Sequence, residues 1–291
     1  MRVVLVHNEA AGDAMSVARM ARTITGGGHE VVAVTHPSAD LRALVPLGVD
    51  LYAVAGGDGT VAAAAFALAD AGLTTPMAVL PMGTANNTAR SLGVASDPDV
   101  AVAAWSCSTV RPLDLGRATG PWGERRFLES VGGGLVTHGI VVMDRRDYTS
   151  PTTAAQLTRA RHAFADVLAV MEPVGSAITI DDQPIAAPWL LVEVLNVGSV
   201  GPNLRLADAS PCDGGLTVVA AGADGRAALI EALRTPAADA TAPAGLQVWT
   251  AREVVIAASD RLHVDDTVVD AVEAGTVRVG IEPGAVAVLV P

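Results

Sequence analysis

The chain has 291 residues, 51% of them hydrophobic and only 3% aromatic, with a net charge of −12. That length and apolar content predict two domains whose cores are packed mainly from Val, Ala and Leu. The acidic balance excludes a nucleic-acid partner, which needs a basic face against phosphates. All 19 basic residues are arginine, and the missing lysine excludes a Walker A loop, Schiff-base chemistry and the strand lysine of protein kinases.

Val3-Val4-Leu5-Val6 opens the chain as a strand, without the charged and apolar regions of a secretion signal. Asn8-Glu9-Ala10-Ala11-Gly12 reads as a loop, with Asp13 capping a helix that runs to about Thr25. Gly26-Gly27-Gly28 ends that helix, and residues 31–34 form the next strand. The apolar run at 51–55 is a buried strand. It leads into Gly56-Gly57-Asp58-Gly59-Thr60 and then an alanine-rich helix beginning at Thr60 or Val61.

Three glycines remove the side chains that keep a backbone away from a bulky anion. The helix behind them aims unpaired N–H groups and its positive end at the same spot. Asp58 would repel bare phosphate, so it belongs there if a metal ion or a polarised hydroxyl lies between them. The plainer reading is a tight turn with an exposed acid. A second strand at 77–80 is followed by Pro81-Met82-Gly83-Thr84-Ala85-Asn86 and another helical stretch. Two such Gly-Thr turns on neighbouring parallel strands fall on one sheet edge, where open α/β folds place ligands. Asp97-Pro98 then starts a short helix as N-cap and first helical residue.

The strand–helix alternation indicates a parallel sheet covered by helices. After about Thr109 it gives way to short runs at 127–131, 177–180, 190–195, 216–220, 254–256 and 276–279, separated by turn residues, which indicates antiparallel sheets. One helix interrupts them, starting at Ser150-Pro151 and continuing over 154–171, with Arg159 and Arg161 read as a solvated face in preference to a ligand role. Residues 235–244 read as a surface loop. The six histidines show no metal spacing. His7 lies nearest the proposed phosphates, and His138 either borders a cleft or caps a turn. Cys107 and Cys212 stand outside any CxxC pair, which fits a reducing cytoplasm. No apolar run is long enough to span a membrane. Arg145-Arg146 falls short of a headgroup-binding cluster, so membrane contact is at most transient. A homodimer is left open.

These motifs resemble the catalytic domain of diacylglycerol, sphingosine and ceramide kinases, in its bacterial lipid-kinase form. Residues 8–12 are similar to that family's first phosphate loop, 56–60 to its central motif and 81–86 to its third element. Arg111-Pro112-Leu113-Asp114-Leu115-Gly116 resembles the crossing into its second domain. Ser210-Pro211-Cys212-Asp213-Gly214-Gly215-Leu216 looks like its Asp-Gly-Leu segment, and residues 279–291 look like its terminal strand.

The resemblance implies an α/β protein: an N-terminal Rossmann-like parallel-sheet domain over 1–118 and a C-terminal antiparallel β-sandwich over 119–291, the last strand returning to the first domain. It implies ATP and Mg2+ as cofactors, bound in the cleft between the domains, and a lipid or alcohol acceptor. Nucleotide contacts would come from Asn8, Gly12, Thr35, Gly56, Gly57, Asp58, Gly59, Thr60, Gly83, Thr84 and Asn86. A structural magnesium would take Asp213 with backbone oxygens of Ser210 and Gly215.

Three departures each remove a carboxylate. Ala62-Ala63 stands where the family has Asn-Glu, Asn86-Asn87 where it has Asn-Asp, and Asp265-Asp266-Thr267 where it has Asp-Gly-Glu, whose Glu takes the acceptor's proton. Asp58 is a catalytic candidate. Asp265 and Asp266 either substitute for the lost base or simply shape a hairpin turn. The sequence therefore supports a lipid kinase, a nucleotide-binding protein with little turnover, or a kinase of a soluble alcohol.

Overall fold

The computed structural model describes residues 1–8, 15–145, 152–185, 188–270 and 275–291. In chain order the elements are β1 (Arg2–His7), α1 (Val17–Gly26), β2 (Glu30–Thr35), β3 (Leu51–Gly56), α2 (Asp58–Ala71), β4 (Met77–Pro81), α3 (Asn87–Ser91), α4 (Pro98–Ala104) and β5 (Thr109–Gly120). There follow β6 (Gly123–Phe127), β7 (Ser130–Gly134), α5 (Leu135–Asp144), α6 (Thr153–Val170), β8 (Ala177–Ile180), β9 (Gln183–Ile185), β10 (Leu191–Leu195), β11 (Ser199–Val200), β12 (Leu204–Arg205) and β13 (Leu216–Ala221). Last come α7 (Arg226–Arg234), β14 (Gln247–Ala251), β15 (Glu253–Ala257), β16 (Leu262–Val264), β17 (Thr267–Val269) and β18 (Thr276–Val290).

Two compact units result, one of Met1–Asp114 with Pro283–Pro291 and one of Leu115–Glu282. The chain thus passes between units at Asp114, four residues before the boundary read from the sequence.

The first unit is a parallel sheet in the order β2-β1-β3-β4, and the end of β18 joins it with Val288 opposite Met77. Every residue of β3 and β4 is buried, as expected for strands covered on both faces. On one face Met20 and Ile24 of α1, with Ala101, Val102 and Trp105, pack on Val3, Leu5, Leu51, Ala53 and Leu80. Ser16, rather than Asp13, caps α1, its side chain accepting from Arg19 N. Asp13 itself lies outside the described residues. Asp97 caps α4 through the amides of Asp99 and Val100.

The second unit is a β-sandwich. One antiparallel sheet runs β14-β13-β10-β7-β16-β17. The other has β15 between β8 and the first part of β18, with β9 beyond β8. Val131, Val192, Val194, Val218 and Leu262 of the first sheet meet Phe127, Ile178, Val254, Ile256, Val277 and Val279 in the core between them. On the other face of the first sheet, Leu191, Leu195 and Val219 bury Leu135, Phe164, Leu168, Leu229 and Leu233 of α5, α6 and α7.

Three local expectations are corrected. The single strand expected over 127–131 is broken, β6 ending at Phe127 and β7 starting at Ser130, because the Asp265 carboxylate captures the amides of Leu128, Glu129 and Ser130. Arg161 is not solvated but 2% exposed. Its guanidinium donates to the carbonyls of Pro202, Asn203, Ala232 and Thr235, so a buried cation is neutralised by backbone dipoles, including the C-terminal end of α7. α6 is capped by Thr152, which accepts from Ala155 N, whereas Ser150 and Pro151 lie outside the described residues. Neither cysteine is in a disulfide; Cys107 is exposed and Cys212 buried. Among the described residues no helix is long and apolar enough to cross a membrane.

Candidate functional site

The two glycine loops meet. Gly57 ends the turn after β3 and Gly83 lies in the turn after β4, and a Cβ on Gly83 would sit 2.5 Å from Gly57 Cα. Met82 N donates to Gly56 O at 2.9 Å, zipping the turns one residue beyond the β3–β4 pairing. Asn86 adopts a left-handed conformation at φ 52°, which Asn tolerates better than most residues. Its side chain closes on Gly83 from both sides, accepting from Gly83 N at 2.8 Å and donating to Gly83 O at 2.7 Å.

α2 starts at Asp58, two or three residues earlier than the sequence indicates, with Gly57 as a cap that has no side chain to offer. The first-turn amides of this 14-residue helix thus receive no bond from a capping side chain. Half-buried Asp58 turns away from them. Its oxygens accept the amides of Asn87 at 3.1 Å and Thr88 at 3.0 Å, so it caps the neighbouring α3, whose own cap Asn86 makes no such bond. A carboxylate oxygen carries two lone pairs, and each Asp58 oxygen keeps capacity for a hard cation. The residues present fit magnesium in that limited sense.

Asn8, at the end of β1, donates to Thr60 Oγ1 at 3.2 Å, which draws a third strand end to the same edge. Gly56 leaves room for the Thr60 side chain, whose atoms a Cβ there would overlap. Thr35 ends β2 beside Val6. Thr84 lies in the turn between Gly83 and Asn86, and Gly59 is exposed in the first turn of α2. Gly12 lies outside the described residues. His7 is buried at the end of β1, with Nε2 2.8 Å from Met15 O, and ties the strand to the segment leading into α1. Arg90, on α3, donates Nε to Ala85 O and so hangs on the second loop. The sequence reading missed it, although its place one turn past Asn86 in a lysine-free chain was the available signal.

The acidic turn of the second unit divides its labour. Asp265 is left-handed at φ 49° and links β16 to β17 with Asp266. Its carboxylate accepts from Leu128 N at 2.9 Å, Glu129 N at 2.8 Å and Ser130 N at 3.3 Å. Burial pushes its pKa up to about 6, against the pull of those amides and of His263. Asp266 is exposed, and its Oδ1 accepts from Thr267 Oγ1 at 3.4 Å. His263 lies beneath, buried against Glu193, a pair the sequence reading also missed because strand register alone brings it together. His138 bonds the Gly134 carbonyl at 2.9 Å, at the start of α5.

Asp213 sits exposed in a surface turn with Oδ1 accepting from Gly215 N at 3.0 Å, and the Ser210 hydroxyl accepts from Cys212 N. The groups expected at a magnesium here, the Asp213 carboxylate and the backbone oxygens of Ser210 and Gly215, are all oxygens, the donor chemistry suited to Mg2+. Among the described residues no three His, Cys, Asp or Glu side chains cluster.

Residues 2–118 match the diacylglycerol kinase catalytic domain. A probable lipid kinase YegS-like protein of Pseudomonas aeruginosa is 34% identical over 46% of this chain and 44% of its own length. A diacylglycerol kinase of Bacillus subtilis is 28% identical over 57% of this chain and 53% of its own. The chain thus spans about half the length of the curated relatives it matches. The crystal structure of a diacylglycerol kinase from Bacillus anthracis superposes with a TM-score of 0.70 over 100% of this chain and 97% of that one, at 19% identity. At that identity the superposition speaks for the fold.

Proposed function

Because the chain is a lipid-kinase-like member of the diacylglycerol kinase catalytic family, we propose that it transfers the terminal phosphoryl group of ATP to a hydroxyl of a lipid or lipid-like alcohol. The observation that carries this reading is the Gly57–Gly83 contact braced by Asp58. It brings the backbone of two glycine turns side by side at one sheet edge, the kind of amide-rich surface a triphosphate requires.

Gly57, Gly59 and Gly83 let amides approach the phosphates, and Thr60 and Thr84 offer hydroxyl hydrogens. Arg90 supplies positive charge where other kinases use lysine. Asp58 holds α3 against α2 and keeps lone pairs for magnesium. That ion, when bound, neutralises phosphate charge.

The acceptor oxygen attacks the terminal phosphorus, the bond to the β,γ-bridging oxygen breaks, and ADP leaves with that electron pair. The hydroxyl proton goes to Asp266, since the Asp265 carboxylate already holds three amides. Phosphoryl transfer depends mostly on positioning and charge, so loss of the base slows the reaction without abolishing it.

The test is transfer of labelled phosphate from ATP to a lipid extract. Wild type should label an organic-soluble product, Asp266→Ala should do so about 10²–10⁴-fold more slowly, and Asp58→Ala should leave only background. Equal background in all three defeats the proposal.

One observation favours a second reading. With Asp265 engaged and Thr267 in the place of the family's Glu, Asp266 is the one exposed carboxylate left among the described residues of that turn. A nucleotide-binding protein without turnover would show a melting temperature raised by ATP and no labelled acceptor.

A further inference from the structure

Gly132 lies in the middle of β7, opposite Glu193 on β10 and His263 on β16. A side chain at 132 would strike the Glu193 carboxyl and the Val192 carbonyl. Without one, two side chains from strands on either side of β7 meet across it: His263 Nε2 lies 3.1 and 3.0 Å from the two Glu193 oxygens. The other ring nitrogen, Nδ1, is 2.8 Å from the Asp265 carbonyl. A carbonyl oxygen only accepts, so Nδ1 carries a hydrogen and donates it to the turn. Both residues are at most 1% exposed. Apolar residues would join these strands as well as a buried acid and imidazole do, so the pair calls for a reason beyond cohesion.

We infer that Glu193 and His263 are positioning residues that set the direction in which the Asp265–Asp266 turn presents Asp266. Glu193 orients the ring, the ring holds the Asp265 carbonyl, and Asp265 N donates to Ser130 O at 2.9 Å. The Asp265 carboxylate gathers the 128–130 amides from the other side. A left-handed non-glycine residue persists when its surroundings over-determine it, and here every polar group of Asp265 is committed. Asp266, next in the chain, inherits a fixed departure point. The inference rests on Asp266 acting as the base.

Two neutral double variants isolate the ring's N–H. Glu193→Gln with His263→Asn keeps a donor near Nδ1, whereas Glu193→Gln with His263→Leu has similar volume and none. The leucine form should exchange the Asp265 amide about 10-fold faster or more. Its kcat should fall about 10-fold with KM for ATP unchanged, the signature of a lost transition-state contribution. The asparagine form should return both toward wild type.

Equal exchange in the two forms overturns the positioning role, and faster exchange with unchanged kcat overturns its link to Asp266. Should leucine prevent folding, Glu193→Gln alone keeps the ring and its volume. It should still lower kcat by about threefold or more, and an unchanged kcat overturns the inference. If wild type transfers no phosphate, the kinase reading fails, while the exchange comparison still decides whether the pair holds the turn.

Discussion

Asp58 and Asp265 do similar work with opposite legibility. Each uses its carboxylate to gather backbone amides, from Asn87 and Thr88 in one case and from Leu128, Glu129 and Ser130 in the other. The glycines around Asp58 mark it in the sequence as part of a site. Nothing around Asp265 announces that its partners lie more than a hundred residues earlier. Its neighbour His263 sets a pH dependence. Burial disfavours the charged ring, but the Glu193 carboxylate, its hydrogen bond and the Asp265 carbonyl outweigh burial and raise the pKa above 6.5. The folded state therefore binds this proton more tightly than the unfolded one. The stabilisation is complete below about pH 6.5 and is lost as pH rises through the folded-state value. Asp265 has the same sign, its contribution fading between 3.8 and about 6. Thermal melts from roughly pH 5 to pH 9 should show the gap between wild type and Glu193→Gln with His263→Asn narrowing as pH rises. A gap that widens would contradict the assignment.

Among the elements, the strand–turn–helix units of the first 100 residues were readable because their signals are local. A buried strand reads as an apolar run, Asp97-Pro98 as a helix start, and glycine as the residue a close turn demands. The loop pair adds a packing requirement. A Cβ on Gly83 falls on backbone, Gly57 Cα, rather than on a side chain that could swing away. Gly83→Ala should push the turns apart, cost about 1–3 kcal/mol and abolish the rise in melting temperature on adding ATP. An unchanged ATP-induced rise would separate the glycine contact from nucleotide binding. The elements misread in the second unit fail for the converse reason. Residues 127–131 have the composition of one strand, and a distant carboxylate breaks it. Arg161 has the spacing of a surface residue, and carbonyls from two separate segments enclose it.

At the scale of the whole molecule, the chain leaves the first unit at Asp114 and re-enters it at Pro283. The re-entry is held within that unit: buried Asp114 accepts Gly284 N at 2.7 Å, and Val288 pairs with Met77. Val286, Val288 and Val290 are buried. Removing Pro283–Pro291 should strip β4 of a parallel neighbour and lower the melting temperature of the first unit, leaving the sandwich of the second less affected. Differential scanning calorimetry of the shortened chain checks this, and an unchanged first transition would show that the final segment is dispensable.

By itself the sequence determined the order of strands and helices, the parallel character of the first unit and the antiparallel character of the second. It also marked the two glycine loops, since glycine spacing and apolar period act over a few residues. Only the tertiary structure decided that the loops touch, that Asp58 caps a helix thirty residues on, and that Glu193 and His263 meet across Gly132. Those facts depend on strand register and turn direction. Both are set by packing between segments far apart in the chain, which no local pattern records.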